Sequence, residues 1–149
     1  MKYYICHNCA KLTTSKELDE EAGEDSTKIT GVFAPDPQDR IDVVKNADII
    51  WCLAAAGVEI LSEDLMKELN GKKIVVDINL VPPYGIEGLK PKHKNEEIYP
   101  GIFGIGALAL GRLKSQSEGQ ILKEAANAKG SKVFDYTYAF EVAKRLLTK

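Results

Sequence analysis

Three sets of residues in this chain have types and spacings that carry chemistry. The first is Cys6 and Cys9, a C-x-x-C with His7 between the two cysteines. Such a pair either ligates zinc or cycles between dithiol and disulfide. A structural zinc site takes four ligands, and the second histidine, His93, is far away in sequence. A redox pair opens a helix after a strand, and a strand pattern ending at Cys6 with helix-forming residues from Ala10 onward suits that setting. The plainer alternative has Cys6 facing a core and Cys9 as a small residue at a helix start. Cys52 lies inside an apolar run, so the three cysteines do not all pair within the chain. His7 and His93 have no carboxylate at a motif spacing, so the sequence shows no acid–base or nucleophilic pair.

The second set is Asp77-Ile-Asn-Leu-Val-Pro-Pro-Tyr-Gly-Ile-Glu-Gly88. An apolar strand runs straight into Asn79 and then into Pro82 and Pro83. Both prolines fix φ and lack an N–H, so the chain leaving the strand is stiff. At least one of the two X-Pro bonds is expected to be cis, the setting in which cis bonds occur. The carboxyl end of a strand in an open α/β sheet is where ligands bind. The third set is the glycines at 101, 104, 106 and 111, where backbone can approach another group closely.

The elements that position these residues alternate along the chain. Residues 2–6 read as a strand, 9–22 as a helix and 28–33 as a strand. Asp36 then caps a helix with Pro37 at its first position and Ile41, Val44 and Ala47 on one face. Residues 48–54 are nearly all apolar, as expected of a strand buried on both faces. Ser62 caps the next helix, with Glu63 and Asp64 in its first turn and Gly71 after its end. Residues 73–78 form the next buried strand, and residues 85–100 read as an irregular, charged, solvated excursion. A helix follows over residues 107–127, with Gly119 as a candidate interruption, and residues 132–134 read as a short edge strand. The last helix puts Tyr136, Ala139, Phe140, Ala143 and Leu147 on one face, where core packing is the expected role. This β-α alternation implies a parallel sheet of four or five strands with helices on both faces. The strand ends near Cys6, Leu53 and Ile78 are expected to line one crevice.

The chain's 149 residues suit one domain. Hydrophobic residues make up 44% and charged ones 28%, an ordinary globular balance. A net charge of −2 with no basic stripe argues against a nucleic-acid binder. No apolar run approaches the length of a membrane span, and the N-terminus has no signal-peptide pattern, so a cytoplasmic location is expected.

The two stretches at 77–88 and 101–111 resemble the C-terminal, cofactor-binding half of the NADP-linked methylene-tetrahydromethanopterin and methylene-tetrahydrofolate dehydrogenases of C1 metabolism. The resemblance is specific over residues 47–126 and rests on spacing alone over residues 1–46. It implies a Rossmann-like α/β fold with helices on both faces of a parallel sheet. The first β-loop-α unit of that fold is missing, because no G-x-G-x-x-G follows the first strand. Gly104-Ile-Gly106 lacks the fingerprint spacing, and backbone packing is its expected role.

Carried over residue by residue, the resemblance implies cofactor contacts at two turns. Ala54, Ala55, Ala56 and Gly57 would leave room for the ribose and nicotinamide. Asn79, Leu80, Val81, Pro82 and Pro83 would flank the nicotinamide ring. His7 and Asn8 would follow the second strand, where the family reads the adenosine ribose and its 2′-phosphate. The cofactor implied is NADP, bound weakly or not at all by this chain alone, and the partner small molecule is a tetrahydropterin. Without a phosphate loop and a substrate domain, the chain alone is expected to be inactive. A gap where the first strand belongs exposes unpaired edges, so a homo-oligomer or a partner chain is expected to cover it. The helix of residues 107–127 is a candidate interface, with Leu108, Leu110 and Leu113 supplying area. The alternatives are a non-enzymatic relative that binds a partner or a nucleotide through the same strand ends, and a thiol redox module built on Cys6 and Cys9.

Overall fold

The structure, a computed structural model, describes residues 3–7 and 29–148, with side chains from Val32 onward. Two strands, β1 (Tyr3–His7) and β2 (Ile29–Phe33), pair in parallel with Tyr3 opposite Ile29 and His7 opposite Phe33. A second, four-stranded sheet has the order β3-β4-β6-β5. Its strands are β3 (Ile49–Cys52), β4 (Lys73–Asp77), β5 (Lys94–Tyr99) and β6 (Ile102–Ile105). Strands β3, β4 and β6 run parallel, and β5 is antiparallel to β6.

Helices α1 (Pro37–Val44), α2 (Glu63–Glu68), α3 (Ala107–Ala126) and α4 (Tyr136–Leu147) complete the α/β architecture. Pro37 opens α1, and the Asp39 carboxylate accepts the Asp36 N–H at 3.4 Å. At α2 the Ser62 hydroxyl accepts the Leu65 N–H, while the Glu87 carboxylate accepts the Glu63 N–H at 2.7 Å.

One face of the sheet builds the core. Ile50 and Cys52 of β3, Val75 of β4 and Ile102 of β6 pack with Leu65 and Met66 of α2 and with Ile41 of α1. Each such buried aliphatic stabilises by about 1.5–3 kcal/mol relative to exposure. Leu61, Ile86 and Leu89 join this core from the connecting segments. The amine of Lys73, buried at the start of β4, donates to the carbonyls of Lys45 and Ala47, both at 2.7 Å. It therefore fixes the exit of α1 against β4.

Five expectations change. Strand β3 is not buried on both faces: Ile50 and Cys52 are buried, whereas Ile49 and Trp51 are 46% and 57% exposed. The reason is position, since among the described residues β3 is the edge of its sheet and pairs only with β4. The charged stretch at residues 85–100 is not wholly irregular, because β5 forms there on β6 with register shifts that suit an exposed edge. Residues 132–134 form no strand. The aromatics Tyr136 and Phe140 of α4 are exposed, and Val142 is the buried residue of that helix. The helix turns Tyr138 and Arg145 to α3, where both donate to the Glu124 carboxylate. Gly119 does not interrupt α3.

Candidate functional site

The carboxyl ends of β3 and β4 lie side by side, with Cys52 opposite Asp77. From Cys52 the chain turns through Leu53, Ala54, Ala55, Ala56 and Gly57. Gly57 takes φ +75°, a left-handed conformation that glycine adopts without a Cβ penalty. From Asp77 it turns through Ile78, Asn79, Leu80, Val81, Pro82 and Pro83, and the Pro82–Pro83 bond is cis, as expected.

Asp77 organises the second turn. It is 2% exposed, and its two carboxylate oxygens accept the N–H of Asn79 at 2.9 Å and of Ile86 at 3.3 Å. One buried side chain thus closes the whole excursion. The Gly85 carbonyl accepts the N–H groups of Ile60 and Leu61, at 2.8 and 3.0 Å, and the Leu61 carbonyl accepts the Glu87 N–H at 2.9 Å. These bonds tie the segment after β3 to the segment after β4. A Cβ on Gly57 would lie 3.9 Å from the Pro82 carbonyl oxygen, so the two turns meet at their tips.

Gly85 is required by close approach. A Cβ there would sit 2.3 Å from Cys52 Sγ, 3.2 Å from Asn79 Nδ2 and 3.3 Å from Asp77 Oδ1. These atoms form a polar floor beneath the turns. Asn79 is only 7% exposed, and its Nδ2 is buried without a hydrogen-bond partner. A buried donor without an acceptor is costly and calls for an explanation. Above the floor, Leu53, Ile78, Leu80 and Val81 are each about half or more exposed, with Pro82 and Pro83 also open. The result is a stiff apolar rim around small residues, with a few polar groups underneath, the composition of a small-molecule site.

His7 ends β1 in the separate two-stranded sheet, and Asn8 lies outside the described residues, as does Cys9. The structure adds Asp77, Gly85 and Cys52, which the sequence placed near the turn but did not single out as site residues. Among the described residues no cluster of histidine, cysteine and carboxylate groups is arranged to hold a metal.

The glycines at 104 and 106 serve packing. A Cβ on Gly104 would lie 2.5 Å from Leu89 Cδ1, and one on Gly106 would lie 2.2 Å from the Lys90 carbonyl oxygen. The Pro91 carbonyl accepts the Leu108 N–H at 2.9 Å, so the chain's own backbone already fills the N-terminus of α3. His93 stands nearby. Its Nδ1 accepts the Lys90 N–H at 3.2 Å, and its Nε2 lies 3.8 Å from the Glu96 carboxylate, a partner that the sequence did not single out. This histidine locks a loop rather than serving the site.

No family model matches the chain. Two curated proteins of Methylorubrum extorquens do. One is an NAD(P)-dependent methylenetetrahydromethanopterin dehydrogenase, 30% identical over 108 residues, which cover 72% of this chain and 36% of the relative. The other is the bifunctional protein MdtA, 31% identical over 119 residues, covering 79% of this chain and 40% of the relative. The chain is a distant homologue of methylenetetrahydromethanopterin dehydrogenase. It spans well under half the length of either relative.

Proposed function

We propose that this chain is the nicotinamide-holding portion of an NADP-dependent methylene-tetrahydromethanopterin or methylene-tetrahydrofolate dehydrogenase. The observation that carries this reading is the meeting of the two turns at Gly57 and Pro82, with the amide of Asn79 buried beside Gly85. A nicotinamide ring is flat and apolar on its faces, which suits that rim. The cofactor, when bound, accepts or donates the hydride that moves to or from the methylene carbon of the reduced pterin. This chain's residues position and shield. Ala54, Ala55, Ala56 and Gly57 keep one side of the ring free of bulk, Leu80, Val81, Pro82 and Pro83 form the opposite wall, and Asp77 holds that wall in place. His7 and Asn8 remain the residues proposed to approach the adenosine ribose and its 2′-phosphate.

The grip on the dinucleotide is weak in this chain alone, because the N-terminus of α3 is closed by Pro91 and a dinucleotide is anchored chiefly by helix N-terminal amides. A partner chain or a second copy completes the unit. Isothermal titration of the full chain with NADPH tests the reading. A constant weaker than micromolar, abolished by Asn79→Leu, is expected. A micromolar or tighter constant unaffected by that substitution would move the cofactor to another part of the chain.

A further inference from the structure

The feature that the cofactor reading leaves unexplained is the outer edge of β3. Among the described residues this strand pairs with β4 alone. The Ile74 N–H donates to the Asp48 carbonyl, so by the alternation of a parallel ladder Ile50 and Cys52 turn their backbone groups to β4. Ile49 and Trp51 therefore present N–H and C=O to the open edge. Their side chains are also the exposed ones, at 46% and 57%. Natural edge strands are blunted by lysine, proline or bulges. The strand Ile49-Ile50-Trp51-Cys52 has none of these.

The course of the chain shows what lies beyond that edge. Helix α1 leaves β2, packs on β1 and places Ile41 and Val44 on the core that includes Ile50. A crossover that passes over β1 on its way from β2 to β3 puts β3 on the β1 side of the two-stranded sheet. Among the described residues the edge of β1 away from β2 is likewise unpaired. Strands β1 and β3 thus share one covering helix without bonding to each other. A two-stranded sheet on its own is marginal.

We propose that the open edge of β3 is a strand-accepting interface that takes one extended, apolar segment of another polypeptide, parallel to β3 and between it and β1. The occupant's chemistry follows from its place. It is a run of four or five residues, apolar on both faces like central parallel strands, with β-branched side chains to pack on Ile49 and Trp51. A second copy of this chain is a poor donor, because every extended strand among the described residues already belongs to a sheet. The homologues, by contrast, carry more than half of their length outside the matched stretch. The biological sense of this interface rests on the partner reading above, but its test involves no cofactor.

The probe is a peptide with the sequence of β4, Lys73-Ile-Val-Val-Asp77, which already pairs in parallel with the inner edge of β3, flanked by lysines for solubility. The full chain, whose single tryptophan is Trp51, is titrated with this peptide. We expect saturable 1:1 binding, a blue shift of Trp51 emission, and exchange of the Ile49 and Trp51 amides slowed about tenfold or more. The Ile50 and Cys52 amides, already bonded to β4, should not change, and a peptide carrying prolines for Val75 and Val76 should do nothing. The proposal is overturned if neither emission nor exchange responds, or if Ile50 and Cys52 respond as well, which would mean that the peptide displaces β4. It is also overturned if Ile49 and Trp51 are protected in the chain alone at every concentration, meaning that β1 has closed the edge. Protection that grows with chain concentration would assign the edge to a second copy instead.

Discussion

The carboxylate of Asp77 accepts the N–H of Ile86, nine residues away at 3.3 Å, while its other oxygen accepts the N–H of Asn79 at 2.9 Å. That one side chain decides where the proline turn stands. Asp77→Ala would leave two buried donors without acceptors. Each costs about 1–3 kcal/mol, so a loss of about 3 kcal/mol is expected in urea unfolding. Surviving folded protein should show the turn displaced, with altered shifts at Leu80, Val81 and Tyr84. A stability loss below about 0.5 kcal/mol would show that water replaces the carboxylate at no cost.

Gly85 and Cys52 should be energetically coupled. A Cβ at position 85 would come within 2.3 Å of the Cys52 sulfur, and both residues are buried. Gly85→Ala is expected to destabilise by about 1–3 kcal/mol, the usual range for overpacking. Cys52→Ala removes the obstructing sulfur, so the double variant should recover part of that loss. Strict additivity of the two changes in a double-mutant cycle would contradict the contact.

Lys73 is a buried cation whose work is done by hydrogen bonds to two carbonyls. Lys73→Met keeps the aliphatic stem and removes the donors. A loss of about 1.5–3 kcal/mol is expected from charge-assisted bonds of this kind. Thermal melts compared with an exposed-site control, Lys114→Met, should separate the effect from a general change in charge.

The α3–α4 contact should be pH-dependent. The hydroxyl of Tyr138 holds the Glu124 carboxyl below its ordinary value of 4.5, helped by hydrogen bonds from Gln120 and by Arg145. A depressed folded value means stability that is fully present above the ordinary carboxylate range and lost as pH falls through the folded value. Near-ultraviolet circular dichroism should therefore be flat from neutral pH down to about 4.5 and change below it. Glu124→Gln should remove that acid transition. A transition centred near neutrality would assign it to another group.

Much of the architecture can be read from local chemistry. Asp36-Pro37 and Ser62 with its following acids mark the helix starts, and the apolar runs at 49–52 and 73–77 mark strands β3 and β4. The proline turn and the small residues at 54–57 are visible for the same reason, because backbone-restricting and side-chain-poor residues announce themselves. What escaped was everything set by long-range pairing. Strand β5 is polar and reads as loop, and it exists because β6 offers it an edge. The exposure of Trp51 follows from what does not pair with β3, which no local pattern encodes. Gly85 looks like any turn glycine until Cys52, 33 positions earlier, is brought against it. The aromatics of α4 sit at helical spacing, but the spacing does not say whether a partner covers them.

The most direct test of the strand-end site is an amide nuclear magnetic resonance titration of the full chain with NADP at millimolar concentration. The account predicts weak binding with shifts concentrated at residues 54–57 and at Asn79, Leu80, Val81 and Tyr84, reduced in Asn79→Leu. Shifts centred on the start of α3, at Ala107 and Leu108, or no shifts at either turn, would contradict it.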